Sequence, residues 1–352
     1  MLMIYRRISL LVCMIMMINV NPLFSQEEDQ TFITKKLFTT DDVLNIRIEA
    51  DFKTVFSLDD DSTYFPARIT LVNENNELVN IDIQIRTRGN YRRKRSTCTF
   101  SPLQIKFPKK KTKNTVFEGQ RAIKLVTHCQ KRGSFEQNTV NEYLIYKTLN
   151  ILTDSSLKVR PAIINYVYNG KRIDSIERFA FFIERPKHLA ERMSGRLINA
   201  KYVHPDSTDF DHMTLVDLFQ FMIGNTDYSV YNMHNVKLIS VDPFSAPVVI
   251  PYDFDWCGQI SAPYAIPNPI FNTTDVRQRI FRGFTRTEDE LKPVIDKFNS
   301  KKELIQQLYE FFPLLNKKEL KRVIDYNNEF YEIINSEKLL NREIIQAGRI
   351  NH

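Results

Sequence analysis

Period-two alternation dominates the first half of the chain. Residues 45–50 and 67–72 alternate apolar and polar side chains, and residues 79–88 do so over most of their length. That pattern predicts strands with one buried face. Residues 103–107 and 122–126 predict two more strands. From 136 to 152 the period lengthens, and Val140, Leu144, Ile145, Leu149 and Leu152 fall on one face of a predicted helix. Residues 159–167 and 179–183 read as strands again.

After Glu184 the character changes. Residues 186–193 and 215–223 predict helices, 236–239 and 248–252 predict short paired strands around a turn at 242–247, and 287–347 carry apolar positions at helical spacing. No internal repeat is visible. The expected organisation is α+β: a β-rich N-lobe over 45–185, a connector near 182–186, and a mostly helical C-lobe over 186–352 carrying the polar loops.

The first residues stand outside this pattern. Arg6 and Arg7 precede an apolar run from 8 to about 20, and Ser25 leads into an acidic stretch. This predicts a secretory signal over 1–25, with a polar leader over 26–44. The run is shorter than the roughly 20 residues a membrane span needs, and no later segment is apolar enough to cross. Apolar residues continue past Cys13, which argues against a lipoprotein signal. Export to the periplasm, cell surface or medium follows as an expectation. Removing 1–25 deletes two arginines and no acid, so the formal charge falls from +7 to +5. Three cysteines remain: Cys98 and Cys129 are the candidates for a bridge in an oxidising compartment, and Cys257, in an apolar run, reads as a buried free thiol.

Glycine narrows the chemistry. The nine glycines are too far apart for GxGxxG, GxxxxGK[ST] or GxSxG, which excludes the standard dinucleotide fingerprint, the Walker loop and the nucleophile elbow. No CxxC or HExxH supports zinc. The densest polar constellation is residues 223–238, which includes Asn225, Asp227, Asn232 and Asn235, followed by Asp253 and Asp255 at the end of an apolar strand. Two carboxylates two apart on an extended chain share a side and can face one cation. Phosphoryl transfer uses such a set: an Asp at the attacking hydroxyl, an Asn and an Asp for Mg²⁺, a strand Lys on the phosphates and a helix Glu beside that Lys. Lys106 and Glu142 supply the last two, with Lys124 as the rival lysine.

Residues 86–132 hold fifteen Lys or Arg and a single acid, Glu118. So uneven a distribution favours anionic partners. Gly89 falls at a predicted hairpin within the basic run. Residues 109–113 read as a solvated loop. With an exported chain and no aromatic-interleaved recognition motif, nucleic acid is disfavoured as a partner.

Arg88-Gly89-Asn90 with the strand 103–107, Asn225-Thr226-Asp227, Asn235, and Tyr252-Asp253-Phe254-Asp255 together resemble segments of the CotH-type spore-coat kinase family, and more distantly of HipA-type bacterial kinases. The resemblance spans roughly 86–256 and leaves the last hundred residues uncovered. It implies an atypical, two-lobed protein-kinase-like fold using ATP and Mg²⁺ or Mn²⁺. It implies Asp227 as catalytic base, Asn232 or Asn235 as a metal ligand, Asp253 or Asp255 as the main metal carboxylate, Lys106 as the nucleotide lysine with Glu142 as its partner, Arg88 beside the nucleotide, and Glu184 at the hinge near the adenine. Asn232 fits ordinary kinase spacing and Asn235 fits the resemblance.

The expected function is transfer of a phosphoryl group or AMP from ATP–Mg²⁺ to a hydroxyl on a protein or cell-surface glycan. The competing expectations are a non-catalytic envelope interaction protein of the same fold, and a sugar-nucleotide transferase using Asp253-Phe254-Asp255 as a DxD motif.

Overall fold

The computed structural model describes residues 34–350, except 59, 74 and 170–173. The expected signal segment 1–25 and the leader as far as residue 33 lie outside the described residues. The described end of the leader is not free: Leu37 and Phe38 are buried against the first strands, and Asp41 accepts from Lys147 Nζ at 2.7 Å.

Seven of the strands are β1 (Leu44–Ala50), β2 (Phe65–Val72), β3 (Leu78–Thr87), β4 (Leu103–Lys106), β5 (Ala122–Val126), β6 (Val159–Tyr168) and β7 (Asp174–Ile183). They close into one barrel in the order β1-β2-β3-β4-β5-β7-β6. Every pairing is antiparallel except the closure, where β1 runs parallel to β6 from Leu44 opposite Ala162 to Ala50 opposite Tyr168. The alternation explains the inside: Ile46, Ile48, Ile81, Ile83, Ile85, Leu103 and Ile105 share the barrel core with aromatic residues such as Phe100 and Phe117.

The helices are α1 (Phe52–Val55), α2 (Gly133–Leu152), α3 (Pro186–Arg192), α4 (Phe210–Ile223), α5 (Glu288–Glu310), α6 (Lys317–Asn335) and α7 (Glu337–Leu340). Thr287 and Glu290 form a reciprocal capping box at the start of α5, and Asn316 caps α6 by accepting from the Glu319 N–H. Between α3 and α5 lies a second sheet of three strands, β8 (Arg196–Ile198), β9 (Val236–Ser240) and β10 (Val248–Pro251), in the order β10-β9-β8.

This corrects the expected two-lobed, protein-kinase-like fold with a helical C-lobe. The described chain is a closed seven-strand mixed barrel with helices packed on it. The physical reason lies in β6 and β7. Phe179-Ala180-Phe181-Phe182-Ile183 is apolar at every position, so both faces need cover. Ala180 and Phe182 enter the barrel core, while Phe179, Phe181 and Ile183 join α2, α4, α5 and α6 in a second core. The two cores share one wall. Residues on both sides of position 185 are joined through it, and the described residues form one compact unit. Nor is the second half mostly helical throughout, because residues 252–287 hold no α-helix, only a 3-10 turn at Pro269–Phe271 and a bridge from Phe284 to Arg349.

Candidate functional site

Helix α4 delivers the central loop. It ends on Gly224 at φ +63°, where an added Cβ would lie 2.1 Å from the Tyr326 hydroxyl. Only glycine occupies that left-handed, crowded position without strain. Asn225 then donates from Nδ2 to Gln220 Oε1 at 2.9 Å, and its Oδ1 accepts the Asp227 N–H at 3.0 Å. This Asx turn is the local signal that turns Asp227 outward.

A tight return at Ser229 and His234, which exchange two backbone bonds of 2.9 Å, brings the next residues back to Asp227. His234 Nε2 lies 2.8 Å from Asp227 Oδ1. Asn235 donates from Nδ2 to Asp227 Oδ2 at 3.0 Å and to the Asp227 carbonyl at 2.8 Å. Both oxygens of this carboxylate are therefore held by neighbouring side chains.

The opposite wall comes from the segment after β10. Asp253 has φ +66° and donates its N–H to the Tyr146 hydroxyl at 2.9 Å. The chain here is a turn rather than the extended segment expected, so a left-handed residue rather than period two sets the two carboxylates. Asp255 is buried and accepts from Tyr264 Oη at 3.0 Å. Arg92 reaches in from the loop between β3 and β4. It donates from Nη1 to Glu142 Oε2 at 3.1 Å and from Nη2 to the Thr127 carbonyl at 2.6 Å, with Asp255 Oδ2 4.0 Å away. Its Nε is buried without a hydrogen-bond partner.

These residues line one cleft of about 270 Å³, which also takes in Arg88, Gly89, Asn90, Tyr91 and Trp256. Of the expected site residues, the structure gathers Arg88, Glu142, Asp227, Asn235, Asp253 and Asp255 there. Three lie elsewhere. Asn232 is exposed on the return, its N–H donating to Ser229 Oγ at 3.1 Å. Lys106 is exposed at the end of β4, 5.2 Å from the Tyr64 ring centre. Glu184 is buried in a pair with Arg192 Nη2 at 3.0 Å and accepts the Lys158 N–H. Lys124 sits nearer the cleft than Lys106, with Nζ 5.1 Å from the Tyr252 ring centre and within the field of Asp253. Glu142 has Arg92 as its partner rather than a lysine.

Arg92 and His234 are the charged or titratable side chains of the cleft that sequence reasoning did not single out, and the aromatic pair Tyr91 and Trp256 was not singled out either. Arg92 was one charge in a basic run, and nothing local marks which arginine turns inward. His234 had a fainter signal, its place beside Asn235 within the polar run.

Burial pushes Asp255 up to about 7, and the negative charge of Asp253 adds to the shift while Arg92 opposes it. Burial also raises Glu142, outweighing the opposing Arg92 guanidinium. Lys124 is pushed down to about 8 by burial, with Arg88 adding and Asp253 opposing. One buried guanidinium thus faces an excess of carboxylates, an arrangement that a further cation would relieve. Among the described residues no group of three or more His, Cys, Asp or Glu gathers as a metal cage. Asp253, Asp255 and the side-chain amide oxygen of Asn235 are hard oxygen donors, which suit Mg²⁺ held by one or two carboxylates together with phosphate and water.

No protein-family model matches the chain, and no curated protein matches it.

Proposed function

We propose that this cleft transfers a phosphoryl group or AMP from ATP, with Mg²⁺ or Mn²⁺, to a hydroxyl group on a protein or cell-surface glycan, in an exported protein. The observation that carries the reading is the meeting in one cleft of a carboxylate held on both oxygens, a pair of further carboxylates, and basic side chains able to meet phosphate. The Cys98–Cys129 bridge supports export, since such bonds persist in oxidising compartments.

In this reading Asp227 accepts the proton of the acceptor hydroxyl. Asn235 aims its carboxylate, and His234 holds the other oxygen. Arg88 and Lys124 meet phosphate oxygens from the barrel side. Asp253 and Asp255 would hold the divalent cation, whose contribution when bound is to neutralise phosphate charge. Arg92 keeps Glu142 from standing as an unpaired buried charge beside that pair.

The test is thermal stabilisation of the protein by nucleotides with and without Mg²⁺ or Mn²⁺. Ligand at 100 times its Kd adds about 2.7 kcal/mol. Asp253→Asn is expected to lose the cation-dependent part, and Asp227→Asn to keep nucleotide binding while losing transfer. The stabilisation itself weakens as pH falls through about 7, because Asp255 must give up its proton to meet the cation. Transfer from γ- or α-labelled ATP separates phosphorylation from AMP transfer. Absence of stabilisation by any nucleotide overturns the reading and leaves a binding role without catalysis.

A further inference from the structure

We infer that the outer face of β3–β5 is a docking track for an acidic polypeptide, which it guides into the cleft. The inference names the acceptor for the reading above and rests on that reading only for its catalytic consequence.

Strand register builds the track. Arg86 lies opposite Gln104, which lies opposite Lys124, so these three side chains form one row on the outside of the barrel. One step further out, Gln84, Lys106 and Ala122 form the next row. Phe107 then bonds through its N–H to the Arg121 carbonyl, and the exposed lysines 109–111 follow. Towards the other end the chain leaves β3 through Arg88, which lines the cleft. Two-residue steps of about 6.6 Å make the track about 20 Å long, the reach of some six residues of extended peptide.

At the cleft end Lys124 and Arg88 lie in the field of Asp253 and Glu142 respectively, and on β3 the exposed Asp82 pairs with Arg68, whereas the cations further out have no such partner among the described residues. In the basic segment, Arg92 and Arg93 have carboxylate partners, and Arg86, Lys106, Lys109, Lys111 and Arg121 have no ion-pair partner among the described residues. The single acid of the segment, Glu118, accepts from the Asn114 N–H in the β4–β5 connection.

Two observations choose the partner. A membrane surface is met by basic residues alongside apolar ones that insert, yet among the described residues the exposed large hydrophobic side chain on these strands is Leu78, at the end of β3 away from the cleft, and none is exposed on β4 or β5. A nucleic acid strand stacks its bases on open aromatic faces. Here Tyr64 is approached by Arg86 at 5.3 Å and Lys106 at 5.2 Å, and Tyr252 by Lys124 at 5.1 Å and Lys237 at 5.5 Å, so the protein's own cations occupy both rings. What remains is a line of positive charge at the spacing of a sheet, complementary to a strand of Asp and Glu.

The experiment is fluorescence anisotropy with a labelled Glu-rich peptide of about ten residues carrying one serine, against a neutral peptide of the same length. The triple variant K109E/K111E/R121E changes exposed positions outside the cleft. Its expected affinity for the acidic peptide is at least about tenfold lower, with a shallower salt dependence between about 0.05 and 0.3 M. Its thermal stabilisation by nucleotide stays that of the unaltered protein, which also shows that it is folded. An unchanged affinity in the variant, or equal binding of the neutral peptide, overturns the track. So does stronger binding of anionic phospholipid vesicles or of a single-stranded oligonucleotide. If the peptide binds and no nucleotide stabilises, the track stands and the transferase reading falls. If nucleotide stabilises and the peptide does not bind, the reverse holds.

Discussion

Single residues set the precision of the cleft. Arg282 lies far along the chain from Asp227, yet its Nη1 donates to the carbonyls on both sides of it, Thr226 at 2.6 Å and Tyr228. Tyr228 in turn donates from its hydroxyl to buried Asp217 at 2.9 Å. In the transfer proposed above, Arg282→Gln is expected to lower kcat about a hundredfold with little change in KM, since misplacing the proposed base by about 1 Å costs that much. Faster amide exchange over 225–235 in the same variant checks the cause without an activity assay. Gly224→Ala combines a left-handed residue, costing about 1–2 kcal/mol, with a clash on Tyr326. It is expected to lose at least about 2 kcal/mol in denaturant unfolding, and an unchanged midpoint contradicts this.

His128 is a residue of a different kind. It is buried, stacked on Phe100 with ring centres 4.4 Å apart, and its Nδ1 has no hydrogen-bond partner. Burial pushes it down to about 3, with Arg178 and Arg92 adding to the shift. A group depressed on folding lends stability that is complete above its unfolded value, near 6.5, and is lost as pH falls toward 3. The acid limb of the stability curve should therefore carry up to one extra proton from this site, about 1.4 kcal/mol per pH unit. His128→Phe keeps the stacking and orphans no polar atom. Its curve is expected to be flatter between pH 6.5 and 3, and a slope equal to that of the unaltered protein contradicts the assignment.

At the scale of elements, the loop between β3 and β4 is the least regular part of the cleft and the most tied down. Cys98 bridges to Cys129, Phe100 N–H bonds to the Cys129 carbonyl, and Arg92 bonds to the Thr127 carbonyl and to Glu142 on α2. Covalent and ionic ties therefore join the same two segments. The ring closed by the bridge spans 31 positions, for which the chain-entropy argument gives about 3–4 kcal/mol. Replacing both cysteines by serine is expected to cost about that much in denaturant unfolding. It should also loosen Tyr91 from Trp256, whose rings meet edge-on at 5.0 Å. Trp256 is the chain's single tryptophan, so its emission reports this movement directly. An emission spectrum unaffected by the double substitution contradicts the tie between bridge and cleft.

For the whole molecule, the shared wall of β6 and β7 decides cooperativity. Phe181 is fully buried and packs against Tyr146 on α2, which in turn packs on Phe254 beside the cleft. Damage there reaches the barrel and the helical layer together. Phe181→Ala is expected to cost about 3–5 kcal/mol and to lower one transition seen alike by far-ultraviolet circular dichroism and Trp256 emission. Two separate transitions would show that barrel and helices unfold independently.

The sequence by itself determined the local elements and the chemistry on offer. Alternation along 79–88 and the helical face of 136–152 depend on neighbours a few residues apart, so β3 and α2 were legible from pattern alone. The polar run 223–238 and the pair Asp253 and Asp255 were legible as chemistry, because loops held between apolar core elements are where reactive side chains gather. The tertiary structure decided what those elements build. Closure depends on β1 lying parallel to β6 more than a hundred residues away, and periodicity carries no record of a strand's partner. That single pairing turned an expected lobe into a barrel. The folded chain also decided which of several chemically equivalent side chains meet: the return at Ser229 and His234 brings Asn235 rather than Asn232 to Asp227, and Arg92 is the one of fifteen basic residues that reaches Glu142. Charge and hydrogen-bonding capacity belong to the residue type, but distance belongs to the fold.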